Sequence, residues 1–325
     1  MGPMARRMLV LVVLAGVVTG CGSGGGGAET NGGQATLRIG LLPIQDVAPL
    51  YLGVQKGFFK QEKLTVKPQI MQGGAEVTAG VASGKLDLGF AATEVLVVAK
   101  SKGLPVQIVA PGNQAAASPA QAWDAVVVGS NSPIKRPKDL EGKTIATNAL
   151  KGSAELYIRS ILAHDGVDAS KVKFIEVPFP DMSAALKAGR VDAISPVEPF
   201  VSQARAAGDR VLFSYFAGFE PKLTVGTYFA MKPFIDKNGD VVGRFARAMN
   251  RSLNYAQSHP DEARRVVLTY TKIPAKVAQT MKLSYWSSDL NLPSIARTAT
   301  EAQRLGFVKS APSVNDLVWK GATQR

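Results

Sequence analysis

Few residues in this chain are equipped for chemistry, and those few suit binding better than reaction. Lys151-Gly152-Ser153 leads into a helical pattern, so the N–H groups of a helix start and the Ser153 hydroxyl could hold an anion. The alternative is that Ser153 only caps the helix. Gln72-Gly73-Gly74 offers the same design before another helical run, with the same alternative. Asp46 and Glu198 are loop carboxylates able to accept from an amine or amide; otherwise Asp46 is an exposed loop residue and Glu198 bridges two parts of the fold or caps a helix. Trp123 and Phe179 can stack on a flat ligand or fill core. The two histidines, His164 and His259, fall at a helix end and a helix start, ordinary structural positions. No pair of Cys/His ligands, G-x-S-x-G elbow, Walker loop or dinucleotide fingerprint occurs. The expectation is a protein with no metal, no cofactor and no catalytic residue, and not an enzyme.

The one cysteine, Cys21, follows an apolar run, Met8 to Val18, that is preceded by Arg6-Arg7 and is shorter than the ~20 residues of a spanning helix. That layout reads as a secretory signal over 1–20. A lone cysteine in an exported chain has no disulfide partner. Val18-Thr19-Gly20-Cys21 resembles a bacterial lipobox, with Val18 in place of the usual Leu, and implies a lipidated Cys21. Residues 21–35 then form a flexible tether, with four glycines at 24–27. The formal charge of +13 falls to +11 without Arg6 and Arg7. No Lys/Arg cluster with interleaved aromatics is present, so nucleic acid is not an expected partner.

The elements that must position the site residues alternate as strand and helix, an α/β pattern. Strands are predicted over 36–42, 64–71, 86–91 and 106–110, with helices over 49–61, 75–82 and 94–102. The 49–61 helix carries Leu50, Val54, Gly57 and Phe58 on one face. Residues 112–122 read as irregular connection into a crossover strand over 125–129. The alternation resumes with strands over 143–146, 172–177, 191–195 and 210–213 and helices between them. A second crossover strand spans 223–231, and from Asp240 the chain is mostly helical, with Ser258 capping a helix that starts at Pro260. Val77–Ala99 aligns without gaps onto Met182–Ala204: Gly84-Lys85-Leu86-Asp87 matches Gly189-Arg190-Val191-Asp192. The repeat sets Thr93 opposite Glu198, each in the loop after its third strand, and makes Thr93 a further candidate contact.

Leu50-Tyr51-Leu52-Gly53 with Lys56-Gly57-Phe58-Phe59 resembles the opening "YLA…KGFF" segment of the nitrate/sulfonate/taurine and thiamine-pyrimidine group of ABC importer binding proteins. Ala82 to Gly89 is similar to their "ASGxxDxG" element, Ile134 to Lys143 to their "DLxGK" segment, and Val191-Asp192-Ala193 with Glu198-Pro199 to their "VDAxxxxEP". The four occur in family order; where the family has an aromatic before Glu-Pro, this chain has Val197. A fungal pyrimidine synthase shares the family's fold, but its cysteine-rich segment has no counterpart here.

The resemblance implies a type II periplasmic-binding-protein fold. Two α/β lobes, 36–124 plus 231–325 and 125–230, are joined by two crossover strands and close on ligand between them. Ligands of open α/β sheets sit at the carboxyl ends of strands. The expected cleft loops are therefore 43–47, 72–74, 92–94, 147–153, 178–181 and 195–198, holding Asp46, Gly73, Gly74, Thr93, Ser153, Phe179 and Glu198, with Trp123 nearby. The expected function is a lipid-anchored, extracytoplasmic, monomeric solute-binding component of an ABC importer, partnered by a permease and ATPase. Its favoured ligand is a small organic anion of the sulfonate, taurine or nitrate type. The alternatives are a pyrimidine or other flat nitrogenous ligand and, in another class, a ligand-sensing lipoprotein without transport.

Overall fold

In the computed structural model, residues 29–31 and 33–323 are described; the expected signal, Cys21 and most of the tether lie outside them. Among the described residues, eleven strands form two sheets. The first contains β1 (Glu29–Asn31), β2 (Gln34–Leu41), β3 (Leu64–Ile70), β4 (Leu88–Ala92), β5 (Val106–Gln114) and β11 (Thr224–Met231). The second contains β6 (Val126–Val128), β7 (Thr144–Thr147), β8 (Lys173–Glu176), β9 (Ala193–Ile194) and β10 (Arg210–Phe213).

The sheets share one plan. The first runs β3-β2-β4-β11-β5, with β1 pairing antiparallel to the start of β2, and the second runs β8-β7-β9-β6-β10. In the first sheet β2 pairs in parallel with β3 and β4, and in the second β7 pairs in parallel with β8 and β9. A strand arriving from the other lobe lies antiparallel inside each sheet, β11 between β4 and β5 and β6 between β9 and β10. The chain leaves the first sheet after Gln114 and returns at Thr224. The return therefore precedes the expected boundary at 230/231: all eight residues of β11 are buried at the centre of the first sheet, paired on both sides. A strand enclosed this way must present apolar or small side chains to both faces, as β11 does.

The sequence repeat has a physical basis in this plan. Gly84 and Gly189 turn the chain with φ of +73° and +66°, the left-handed region that disfavours a Cβ. Three residues on, the Asp87 carboxylate accepts the Arg38 N–H at 2.8 Å, while the Asp87 N–H donates to the Arg38 carbonyl at 2.9 Å. Asp192 does the same to Thr144, at 2.8 and 2.9 Å. Asp87 clips the approach to β4 onto β2, and Asp192 clips the approach to β9 onto β7. The Arg38 guanidinium adds an ion pair to Asp87 at 2.7 Å, an addition to the shared pattern.

Several local expectations change. The helix expected over 49–61 is two, Ala48–Gln55 and Phe58–Gln61, because Gly57 takes a left-handed φ of +74°. Its buried face holds Leu50, Leu52 and Gly53 while Val54 is exposed; a Cβ on Gly53 would sit 1.9 Å from Ser252 Oγ, so the glycine permits close packing on the helix Gly239–Ser258. Ser258 is not a cap: its hydroxyl donates back to Asn254 and Tyr255 carbonyls, in the last turn of the preceding helix. The stretch expected to be irregular from 112 remains strand to Gln114 before a single turn at Pro119–Gln121.

Candidate ligand site between the lobes

A cavity of about 40 Å³ lies where loops from the two sheets meet. Leu42, Ile44, Asp46, Phe90 and Ala92 line it from the first lobe, and Asn148, Ser153, Ala154, Phe179, Val197, Tyr215 and Phe216 from the second. No Lys or Arg is among the lining residues.

Asp46 sits in a single turn that precedes the helix Ala48–Gln55, and only 4% of it is exposed. Its carboxylate accepts the Ser284 hydroxyl at 3.0 Å. Burial pushes its pKa up to about 7, although the hydrogen bonds of Ser284 and Asn113 pull the other way. Phe179 is held by Phe200, whose ring lies nearly parallel to it with centroids 6.0 Å apart. Stacked on one side and lining the cavity, Phe179 is placed to cover a flat molecule.

Ser153 begins the helix Ser153–His164 without capping it. Its hydroxyl donates across the lobes to Glu94 Oε1 at 2.7 Å. Glu94 is buried, its pKa is pushed up to about 7 by desolvation, and its other carboxyl oxygen has no hydrogen-bond partner. Further along the same helix face, Tyr157 shares a 2.9 Å bond with Thr298 and Ser160 donates to Glu301. Positions 153, 157 and 160 follow helical spacing, so one face of this helix carries a polar seam between the lobes.

The other expected contacts do not line the cavity. Trp123 is fully buried one layer behind it, its indole N–H donating to the Gln114 carbonyl at 3.1 Å and its ring packed on Phe216. The Thr93 hydroxyl is committed to the carbonyls of Thr224 and Val225 at 3.0 and 3.1 Å. Glu198 holds its own helix start through Ser202 N and Oγ, at 3.0 and 2.8 Å, and reaches the Lys282 N–H at 3.2 Å. It is thus both a cap and a bridge, the two structural alternatives read from its position. Gly73 and Gly74 begin the helix Gly74–Ala82, with Gly73 facing the Asn148 carbonyl. Sequence reasoning missed Tyr215, Phe216 and Phe90, whose apolar runs look like core. It also missed Asp124, a buried carboxylate that accepts Ser214 Oγ, Tyr215 N and Phe216 N and so holds two cavity-wall aromatics in place. Desolvation pushes its pKa up to about 6. Val197, just before the Glu198-Pro199 pair, lines the cavity directly.

Two α/β lobes of one strand order, two crossings between them, and a cavity at their facing strand ends define a type II periplasmic-binding-protein fold. Comparison places the chain more narrowly: the family described as NMT1/THI5 like matches residues 44–263, and the chain belongs to that family. The taurine-binding periplasmic protein of Escherichia coli is 24% identical over 70% of this chain and 66% of its own length. The formylaminopyrimidine-binding protein of Halalkalibacterium halodurans is 25% identical over 68% and 65%. The structure of the alkanesulfonate-binding protein SsuA from Xanthomonas axonopodis pv. citri superposes with a TM-score of 0.71 at 20% identity, covering 89% of this chain and 98% of that one. One relative, from Aspergillus parasiticus and 24% identical over 80% of this chain and 79% of its own, bears the name of a pyrimidine phosphate synthase.

Proposed function

We propose that this chain is the solute-binding component of an ABC importer, tethered at the outer face of the membrane through a lipid on Cys21, working as a monomer without catalysis. It captures a small, flat molecule bearing N–H donors by closing its lobes. The names of the taurine-, pyrimidine- and sulfonate-binding relatives support the general reading. The observation that carries the ligand class is Asp46: a buried carboxylate in the wall of a cavity that Phe179 also lines and no Lys or Arg does. A simple anion entering there meets a carboxylate, and the Ser153 proton is already given to Glu94. An N–H of an aminopyrimidine-like solute meets an acceptor, and its ring meets Phe179.

One observation favours a second reading, a small organic anion: Ser153 and Ala154 begin a twelve-residue helix and line the cavity, so its first amides are near. Calorimetry with an aminopyrimidine panel and a sulfonate panel, on parent and Asp46→Asn, separates the two. The proposal expects the aminopyrimidines to bind and to lose at least tenfold in the variant. Tight sulfonate binding that survives or improves in Asp46→Asn selects the anion.

A further inference from the structure

A second surface recess lies on the crossover side of the molecule, apart from the cavity. Three pieces of chain form it: Ala116–Gln121 on the way from the first sheet to the second, Ala256–Arg264 at a junction of two helices, and Lys282–Trp286. Its volume is about 590 Å³. Arg264 and Lys282 line it, and no Asp or Glu does. Among the described residues the Lys282 ammonium donates to the Ala120 carbonyl and pairs with no carboxylate. The Arg264 guanidinium touches Asp261 through Nη1 at 3.3 Å, and that aspartate is 82% exposed.

Unmade hydrogen bonds concentrate here. Among the described residues, six buried side-chain polar atoms lack a partner; four are oxygens, and the two nitrogens are Arg264 Nε and Trp286 Nε1, both in residues of this groove. Native folds rarely leave buried donors unpaired; these two lie beneath the groove wall, Trp286 being only 2% exposed, and leave that wall short of acceptors. Beside them Tyr285 is 43% exposed, and Leu283 and Pro260 complete an apolar flank.

We propose that this groove is a second ligand site, for a small organic anion. Its charged head meets Arg264 and Lys282, and its apolar body lies against Tyr285 and Leu283. The segment that forms the groove also reaches the cavity: the Lys282 N–H donates to Glu198 of the second lobe, and the Ser284 hydroxyl donates to Asp46. Occupancy of the groove therefore bears on the residues that close the lobes. The site stands on its own geometry and not on the ligand class assigned to the cavity.

The test is calorimetry on the full chain purified in detergent, with benzoate as an anion that has an apolar body and inorganic phosphate as a head without one. Benzoate is expected to bind saturably and at least tenfold tighter than phosphate. Arg264→Gln with Lys282→Gln is expected to weaken it at least tenfold, and Tyr285→Ala severalfold. Lys282→Arg should retain binding, and so should Phe179→Ala, which alters only the cavity. Equal melting of parent and variants checks the fold. The proposal is overturned by absence of saturable benzoate binding to the parent, by binding that survives the double substitution, or by loss in Phe179→Ala, which moves the probe to the cavity. Phosphate bound as tightly as benzoate removes the apolar body from the assignment.

Discussion

Ser153 in the second lobe and Glu94 in the first share a 2.7 Å hydrogen bond that closes one edge of the cavity, with the second Glu94 oxygen left unpartnered. A buried carboxylate in that position is favoured in its neutral form. Its pKa rises from 4.5 to about 7, so the folded chain holds a proton that the unfolded chain releases above pH 4.5. The sign follows: this contribution to stability is fully present below about pH 4.5 and is lost as pH rises through about 7. Melting of the parent is expected to fall between pH 5 and 8 more than that of Glu94→Gln, by a difference of up to roughly 3 kcal/mol. Parallel pH–Tm curves for the two proteins would refute it.

Asp46 transmits the same chemistry to binding. With its pKa near 7, a ligand that needs the ionised carboxylate must drive off a proton below that pH. Affinity for an aminopyrimidine whose own charge is constant is expected to rise by up to about tenfold per pH unit between 5 and 7, then level off. Affinity for a sulfonate is expected to run the other way above 7. Calorimetry at four pH values reads the slope, and a flat profile removes Asp46 from the ligand's partners.

Removal of the Phe179 ring is expected to weaken a flat ligand by about tenfold, in line with ~1.4 kcal/mol for lost stacking. The comparison arm is a linear amine-bearing ligand, which has no ring to lose. A loss shared equally by both ligands points to a general collapse of the wall against Phe200.

The two repeat aspartates provide a matched pair for stability. Asp87→Ala and Asp192→Ala each remove an acceptor from a strand N–H, at an expected cost of about 1–3 kcal/mol. Asp87→Ala is expected to be the more damaging, because it also leaves Arg38 without its 2.7 Å ion pair. Urea unfolding of both variants ranks them, and the reverse order contradicts this account of the clip.

The proposed anchoring places the lipid on Cys21, outside the described residues. Cys21→Ser is expected to abolish incorporation of labelled fatty acid and to leave the precursor uncleaved by the lipoprotein route. Equal labelling of variant and parent eliminates the lipobox.

The alternation of strands and helices, the doubled unit with Gly84/Gly189 and Asp87/Asp192, and the loops that carry Asp46, Ser153 and Phe179 are legible in the chain. These features are local: a left-handed turn, a strand start and an apolar period are each decided within a few residues. The tertiary structure decided which candidates remain available to a ligand. Thr93 and Trp123 look equivalent to Ser153 and Phe179 in the chain, yet carbonyls of Thr224 and Gln114 absorb their donors. Glu198 is taken up by Ser202 and by Lys282, 84 residues away. The proton affinity of Asp46 depends on burial and on Ser284, 238 residues along the chain. Desolvation and hydrogen-bond partners are properties of the space around a side chain, and that space is assembled from segments remote in sequence.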